Sequence, residues 1–171
     1  AVAGLVLATR SLWELLKVVT AFTVAHTLTL TLSVFNIVRL PSQIVEPMIA
    51  LSIVVIAAQN IFWPERTRGM GRLLVAFGFG LFHGLGFAGG LLEAMQGIGG
   101  TGIAIALVAF SVGVEVGHQC VALPLFGVMR AIRGGGESRP ARAAFSAATF
   151  RYASTVIALA GLFYMFEALR G

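Results

Sequence analysis

The chain contains no aspartate, one cysteine and very little charge of either sign, with Asp, Glu, Lys and Arg making up 11% of its 171 residues. That is less than half of the roughly 25% usual in a water-soluble domain. So few charges cannot keep a surface wetted, and the 58% of hydrophobic residues and mean hydropathy of +0.93 place the chain among integral membrane proteins. The single cysteine, Cys120, excludes an intrachain disulfide framework and carries no redox information. With aspartate missing, seven glutamates and three histidines hold every titratable option outside the basic residues and tyrosines. The net charge of +5 gathers in loops, so it is a topology signal and leaves no nucleic-acid footprint.

What the chain does have is a succession of long apolar runs. About 20 apolar residues cross a bilayer as a helix. The sequence therefore predicts an all-α fold, a polytopic transmembrane helix bundle forming one domain. Five full spans are expected, at about Leu12–Phe35, Ile44–Trp63, Leu73–Met95, Gly102–Met129 and Phe150–Leu169. Ala1 to Ala8 is apolar but too short to span, and reads as the tail of an upstream helix or as a processed end. The longest connection, Arg130 to Thr149, holds Gly134, Gly135, Gly136 and Pro140 and reads as a flexible loop.

Alternating spans divide the basic residues unevenly. Arg10, Lys17, Arg66, Arg68, Arg72, Arg130, Arg133, Arg139, Arg142 and Arg151 fall on one side, and only Arg39 and Arg170 on the other. Positive charge marks the cytoplasmic side. Loops 64–72 and 130–149 are thus expected in the cytoplasm and the C-terminus outside, in a bacterial inner membrane. Trp13, Trp63 and Tyr152 lie at the cytoplasmic boundary and Tyr164 near the other, as an aromatic belt requires.

Against this apolar background Glu115 and His118 stand out in the middle of the fourth span. Three residues apart, they share one helix face. Ionisable groups at bilayer depth are costly and normally face a bundle interior or a polar cavity. At about 1.5 Å of rise per residue, His26 lies some 20 Å above Leu12 and His83 some 15 Å above Leu73. Glu115 lies about 20 Å above Met129, with His118 one turn closer to the cytoplasm. Three separate spans thus bring their histidines to one level. Imidazole and carboxylate together are ordinary ligands for zinc, nickel, copper or iron, and the same groups can relay protons. A histidine taken alone can equally well serve as an interhelical hydrogen-bonding group.

Other polar residues are placed to support such a site. Thr23, Thr29 and Ser33 form a narrow stripe around His26, Ser52 and Gln59 share a face of the second span, and Gln119 adjoins the site helix. Such groups can orient a histidine through its second ring nitrogen, or bond back to their own helix carbonyls. The third span carries Gly80 with Gly84 and Gly86 with Gly90, spacings that let helices approach. On the fourth, Gly113 and Gly117 lie opposite Glu115 and His118, leaving the ionisable side for the site and the glycine side for a neighbour. Glu46, before Pro47, reads either as a carboxylate at a helix start or as an outer collecting point above the midplane cluster. Glu14 with Lys17, and Glu65 with Arg66 and Arg68, read as surface charge.

Four ordered blocks resemble the HupE/UreJ family of membrane proteins. They are Phe22-Thr23-Val24-Ala25-His26-Thr27-Leu28-Thr29-Leu30, Val45-Glu46-Pro47-Met48-Ile49-Ala50-Leu51-Ser52, His83-Gly84-Leu85-Gly86-Phe87-Ala88, and Phe110-Ser111-Val112-Gly113-Val114-Glu115-Val116-Gly117. The resemblance implies a nickel permease or metal-handling accessory in which His26, Glu46, His83 and Glu115 matter. The family's Gly-x-Asp-His motif has no counterpart here, since the chain lacks Asp, and His118 stands where the family usually has Gln.

The expectation is a membrane metal-ion permease or metal-binding accessory with His26, His83, Glu115 and His118 as the metal site and Thr23, Glu46, Ser52 and Gln119 in support. The ion is a divalent transition metal, nickel by family resemblance, with zinc, cobalt or copper as alternatives. The lipid bilayer is one partner, and a second copy or a larger membrane complex could be another. Two other functions fit the same residues: an intramembrane metal-dependent hydrolase with Glu115 as general base, and a scaffold subunit. No signature such as His-Glu-x-x-His supports the first.

Overall fold

A computed structural model of the chain describes residues 4–6, 9, 11–63, 69–133 and 140–170. Its helices are α1 (Leu12–Val34), α2 (Ser42–Phe62), α3 (Met70–Ala94), α4 (Gly100–Arg133) and α5 (Pro140–Arg170), and among the described residues there is no strand. Each of the five holds a stretch long and apolar enough to cross a membrane. Hydrocarbon offers no partner for a free N–H or C=O, so a spanning segment must bond its backbone internally, as a helix does.

Local chemistry sets the ends of α1. Ser11 precedes the helix in extended backbone, and its hydroxyl accepts from the Glu14 amide at 3.1 Å. This is half of a capping box, and Glu14 is therefore part of the helix start as well as a surface charge. At the far end Asn36 has φ +62°, a left-handed conformation asparagine tolerates. The Ile37 amide then donates to the Leu32 carbonyl at 2.9 Å and the Asn36 amide to Ser33 at 3.0 Å, closing a Schellman motif.

The ends of the other helices depart from the sequence reading. Helix α4 continues to Arg133 and α5 already begins at Pro140, so the expected loop over 130–149 shrinks to residues 134–139, outside the described set. Ala141, Ala143, Ala144, Ala147 and Ala148 are strong helix formers and Pro140 suits a first helical position, which is why the helix extends beyond its apolar part. Helix α2 starts at Ser42, which puts Glu46 and Pro47 in its second turn and removes the capping role from Glu46. Helix α3 starts at Met70, so Arg72 is helical, while Arg10, Glu65, Arg66, Arg68 and Arg139 lie outside the described residues.

Arg72 is 3% exposed, although the sequence places it with the loop charges. Its guanidinium donates to the Leu5 carbonyl at 2.8 Å and the Gly4 carbonyl at 3.5 Å, the Asn60 amide donates to the same Gly4 carbonyl at 2.7 Å, and the Glu14 carboxylate acts on it. The helical residues 4–6 are held there by apolar contact as well. Leu5 packs with Val18, Phe22, Ile56 and Ala76, and Val6 with Leu15, Val19, Ala122 and Phe126.

The helices pair unequally. Helix α1 packs most extensively on α3 and α2 on α5, with α4 resting on α1 and α3 touching α2. Glycine makes the first seam possible: a Cβ at Gly80 would collide with the Phe22 carbonyl, and one at Gly84 with the His26 carbonyl and the Thr29 hydroxyl. Thr29 adds a cross-helix bond, donating to the Leu81 carbonyl at 2.7 Å. Gly113 and Gly117 behave differently from expectation. Nothing described lies within 4 Å of a Cβ placed at either, and Gly117 borders the same open space as His118 and does not lie opposite it.

Candidate functional site

Helices α1, α3 and α4 line a partly open cavity of about 230 Å³ at the level the rise per residue predicts for the histidines. Helix α1 contributes Phe22 and His26, α3 contributes His83 and Phe87, and α4 contributes Val114, Gly117 and His118. All three histidines of the chain therefore meet in one place, from three different spans.

Each imidazole is held in a different way. His83 Nδ1 lies 2.8 Å from the Phe79 carbonyl one turn back in α3. A carbonyl only accepts, so Nδ1 carries the hydrogen and Nε2 keeps its lone pair. His118 Nδ1 is 3.3 Å from the Thr23 hydroxyl. Thr23 thus does orient a histidine, but the one on α4 and not its neighbour His26. His26 is 2% exposed, and among the described residues neither ring nitrogen has a hydrogen-bond partner. Its surroundings are aromatic: Phe22 and Phe110 stack on it at 6.5 and 6.3 Å between centroids, and Phe87 meets it edge-on at 5.5 Å. A buried polar group left unpaired costs about 1–3 kcal/mol.

Glu115 stands beside this cavity, off its lining. Its Oε1 accepts from the Thr20 hydroxyl at 3.2 Å and from the Gln119 amide at 3.0 Å, while Oε2 is buried with no partner among the described residues. The carboxylate is close enough to His118 to act on it electrostatically. Gln119 accordingly positions Glu115, one turn away on the same helix. The remaining expected residues are elsewhere. Ser52 is buried and donates to the Ile49 carbonyl of its own helix at 2.6 Å, the back-bonding alternative, and Glu46 is exposed on α2. Ser111 likewise bonds back to the Leu107 carbonyl at 2.8 Å.

The three imidazoles share a cavity without forming a closed ligand set: among the described residues, no three His, Cys, Asp or Glu side chains form a group that could hold a metal ion as they stand. Sequence reasoning passed over Thr20, and also the aromatic rings that separate and surround the histidines. Both had a signal. Thr20 lies one turn before Thr23 on the same stripe, and Phe22, Phe87 and Phe110 all fall inside the blocks that carry the family resemblance.

Five apolar spans, three of which line a cavity with imidazoles, define a multi-pass helical membrane protein. The family profile described as HupE / UreJ protein matches residues 1–168, nearly the whole chain, and the protein belongs to that family. No curated protein and no solved structure gives a significant match.

Proposed function

We propose that the protein is a bacterial inner-membrane permease or metal-binding accessory for a divalent transition metal, nickel before cobalt, zinc or copper. His26, His83 and His118 form the station at which the ion pauses midway across the bilayer. Membership of the HupE/UreJ family suggests a membrane accessory or transport protein for nickel or cobalt. The observation that carries the reading further is His26: a buried imidazole with both nitrogens unpartnered, lining a cavity with two more imidazoles. An ion entering that cavity supplies the missing partner. Neutral imidazole nitrogen suits nickel, cobalt, copper and zinc and is a poor match for calcium or magnesium.

Conduction favours weak, sequential binding, because an ion that is held too firmly does not leave. Three imidazoles that line a space without closing on it suit that need. Glu115 lies on the flank with one free oxygen and offsets the charge of the passing ion. Glu46, exposed on α2, stands toward the outer face in the orientation that the basic residues favour and receives ions there. Radiometal uptake into liposomes holding the purified protein tests this reading. Uptake in His26→Ala and His83→Ala is expected to fall by about tenfold or more, the scale of losing a ligand or its orientation. Unchanged uptake in both would remove the station.

A further inference from the structure

The centre of the histidine cluster is occupied by a hydrocarbon ring. Phe22 meets His83 edge-on at 4.9 Å between centroids and an interplanar angle of 65°, meets His118 edge-on at 5.4 Å and 75°, and stacks toward His26 at 6.5 Å and 20°. Among the described residues it is the one side chain in ring contact with all three imidazoles, and the three do not form a ready metal-holding group. The geometry points to Phe22 as a positioning residue that wedges the imidazoles apart, so that they can close on an ion only when its ring swings out of the way. This rests on the proposed metal station and adds a gate to it.

Two features make such a movement plausible mechanically. The Phe22 backbone is fixed, because its carbonyl lies against Gly80 in the α1–α3 seam, so motion is confined to the ring. The ring is itself part of the cavity wall, so its rotation changes the space that the imidazoles share. Energetically the wedge acts as a competing state. If the ring-out arrangement is populated at about 0.1–10%, the apparent affinity of the station is reduced by that fraction. A site built from nitrogen donors is thereby kept weak enough to release its ion.

The test is a titration of the purified full-length protein in detergent with cobalt(II), followed by visible absorption, which reports both affinity and the number of ligands around the ion. The parent is expected to bind weakly with the faint bands of a water-rich, high-coordinate ion. Phe22→Leu, which keeps an apolar side chain in the core, and Phe22→Ala are expected to bind about tenfold or more tightly, with stronger bands from a lower-coordinate, nitrogen-bound ion and slower release to a chelator. A merely structural role would lower the melting temperature and leave the spectrum of the bound ion unchanged. Folded variants that bind cobalt as weakly as the parent, or more weakly, overturn the wedge. A His26→Ala, His83→Ala double variant separates the two levels. If parent binding persists in it, the station itself is wrong and the wedge falls with it; if binding is lost while the Phe22 variants fail to tighten, only the wedge falls.

Discussion

Helices α1 and α4 both carry site residues, yet they are held in opposite ways. Of the membrane window of α1, 44% is buried inside the protein, against 6% for α4. Helix α1 is locked to α3 by backbone contacts at Gly80 and Gly84 that leave no room for a single added carbon. Helix α4 is attached through two small apolar contact groups and through side-chain hydrogen bonds from Thr20 to Glu115 and between Thr23 and His118. His26 and His83 therefore belong to a closely packed frame, whereas Glu115 and His118 sit on an element held to it by fewer contacts.

The largest effect is expected where the frame itself is broken. Gly84→Val pushes two methyl groups toward the His26 carbonyl, and overpacking that cannot relax costs about 1–3 kcal/mol or more. The melting temperature in detergent should fall sharply and uptake should be lost. An unaltered melting curve would mean that α1 and α3 are not locked as described. Loosening α4 should act on the ion more than on the fold. Thr23→Val removes the partner that orients His118, and metal affinity is expected to drop about tenfold, while stability changes by roughly 0.6 kcal/mol, the usual worth of one interhelical hydrogen bond in a membrane. Calorimetric titration with nickel beside a melting curve gives both numbers.

A smaller effect is expected from pH. Metal binding needs neutral imidazole, so protons compete with the ion and affinity should fall as the medium is acidified. The dependence should flatten in the His26→Ala variant, which binding measurements at several pH values would show. The smallest change is expected at Gly113. Gly113→Ala meets nothing described within 4 Å, and removing a helix-interior glycine gains up to about 1 kcal/mol. A lower melting temperature instead would mean that a second copy or another subunit covers this face.

Much of this was legible in the amino acids. Hydrophobic run length fixed the five spans, because a bilayer imposes a single thickness. The rise per residue placed His26, His83 and His118 at one depth before their rotation was known. Gly80 and Gly84 were readable as a close approach because their spacing keeps them on one face. What stayed hidden depends on how helices are rotated about their axes and on which one each faces. Thr23 next to His26 in sequence gives no sign that its partner is His118, ninety-five positions away. Phe22 looks like any apolar residue of a spanning helix until its ring is seen among three imidazoles. Arg72 could not be told from the other arginines of its loop, since a guanidinium near a helix end can reach water or carbonyl oxygens with equal ease.

The grip of Arg72 on the Gly4 and Leu5 carbonyls has a consequence for biogenesis. These partners are separated by 68 and 67 positions along the chain. A ribosome adds on the order of 5–20 residues each second, so the amino-terminal stretch waits several seconds before the arginine that secures it has even been synthesised. Leu5 can pack on the first spanning helix as soon as it forms, but its carbonyl and that of Gly4 gain the guanidinium only once the third is made.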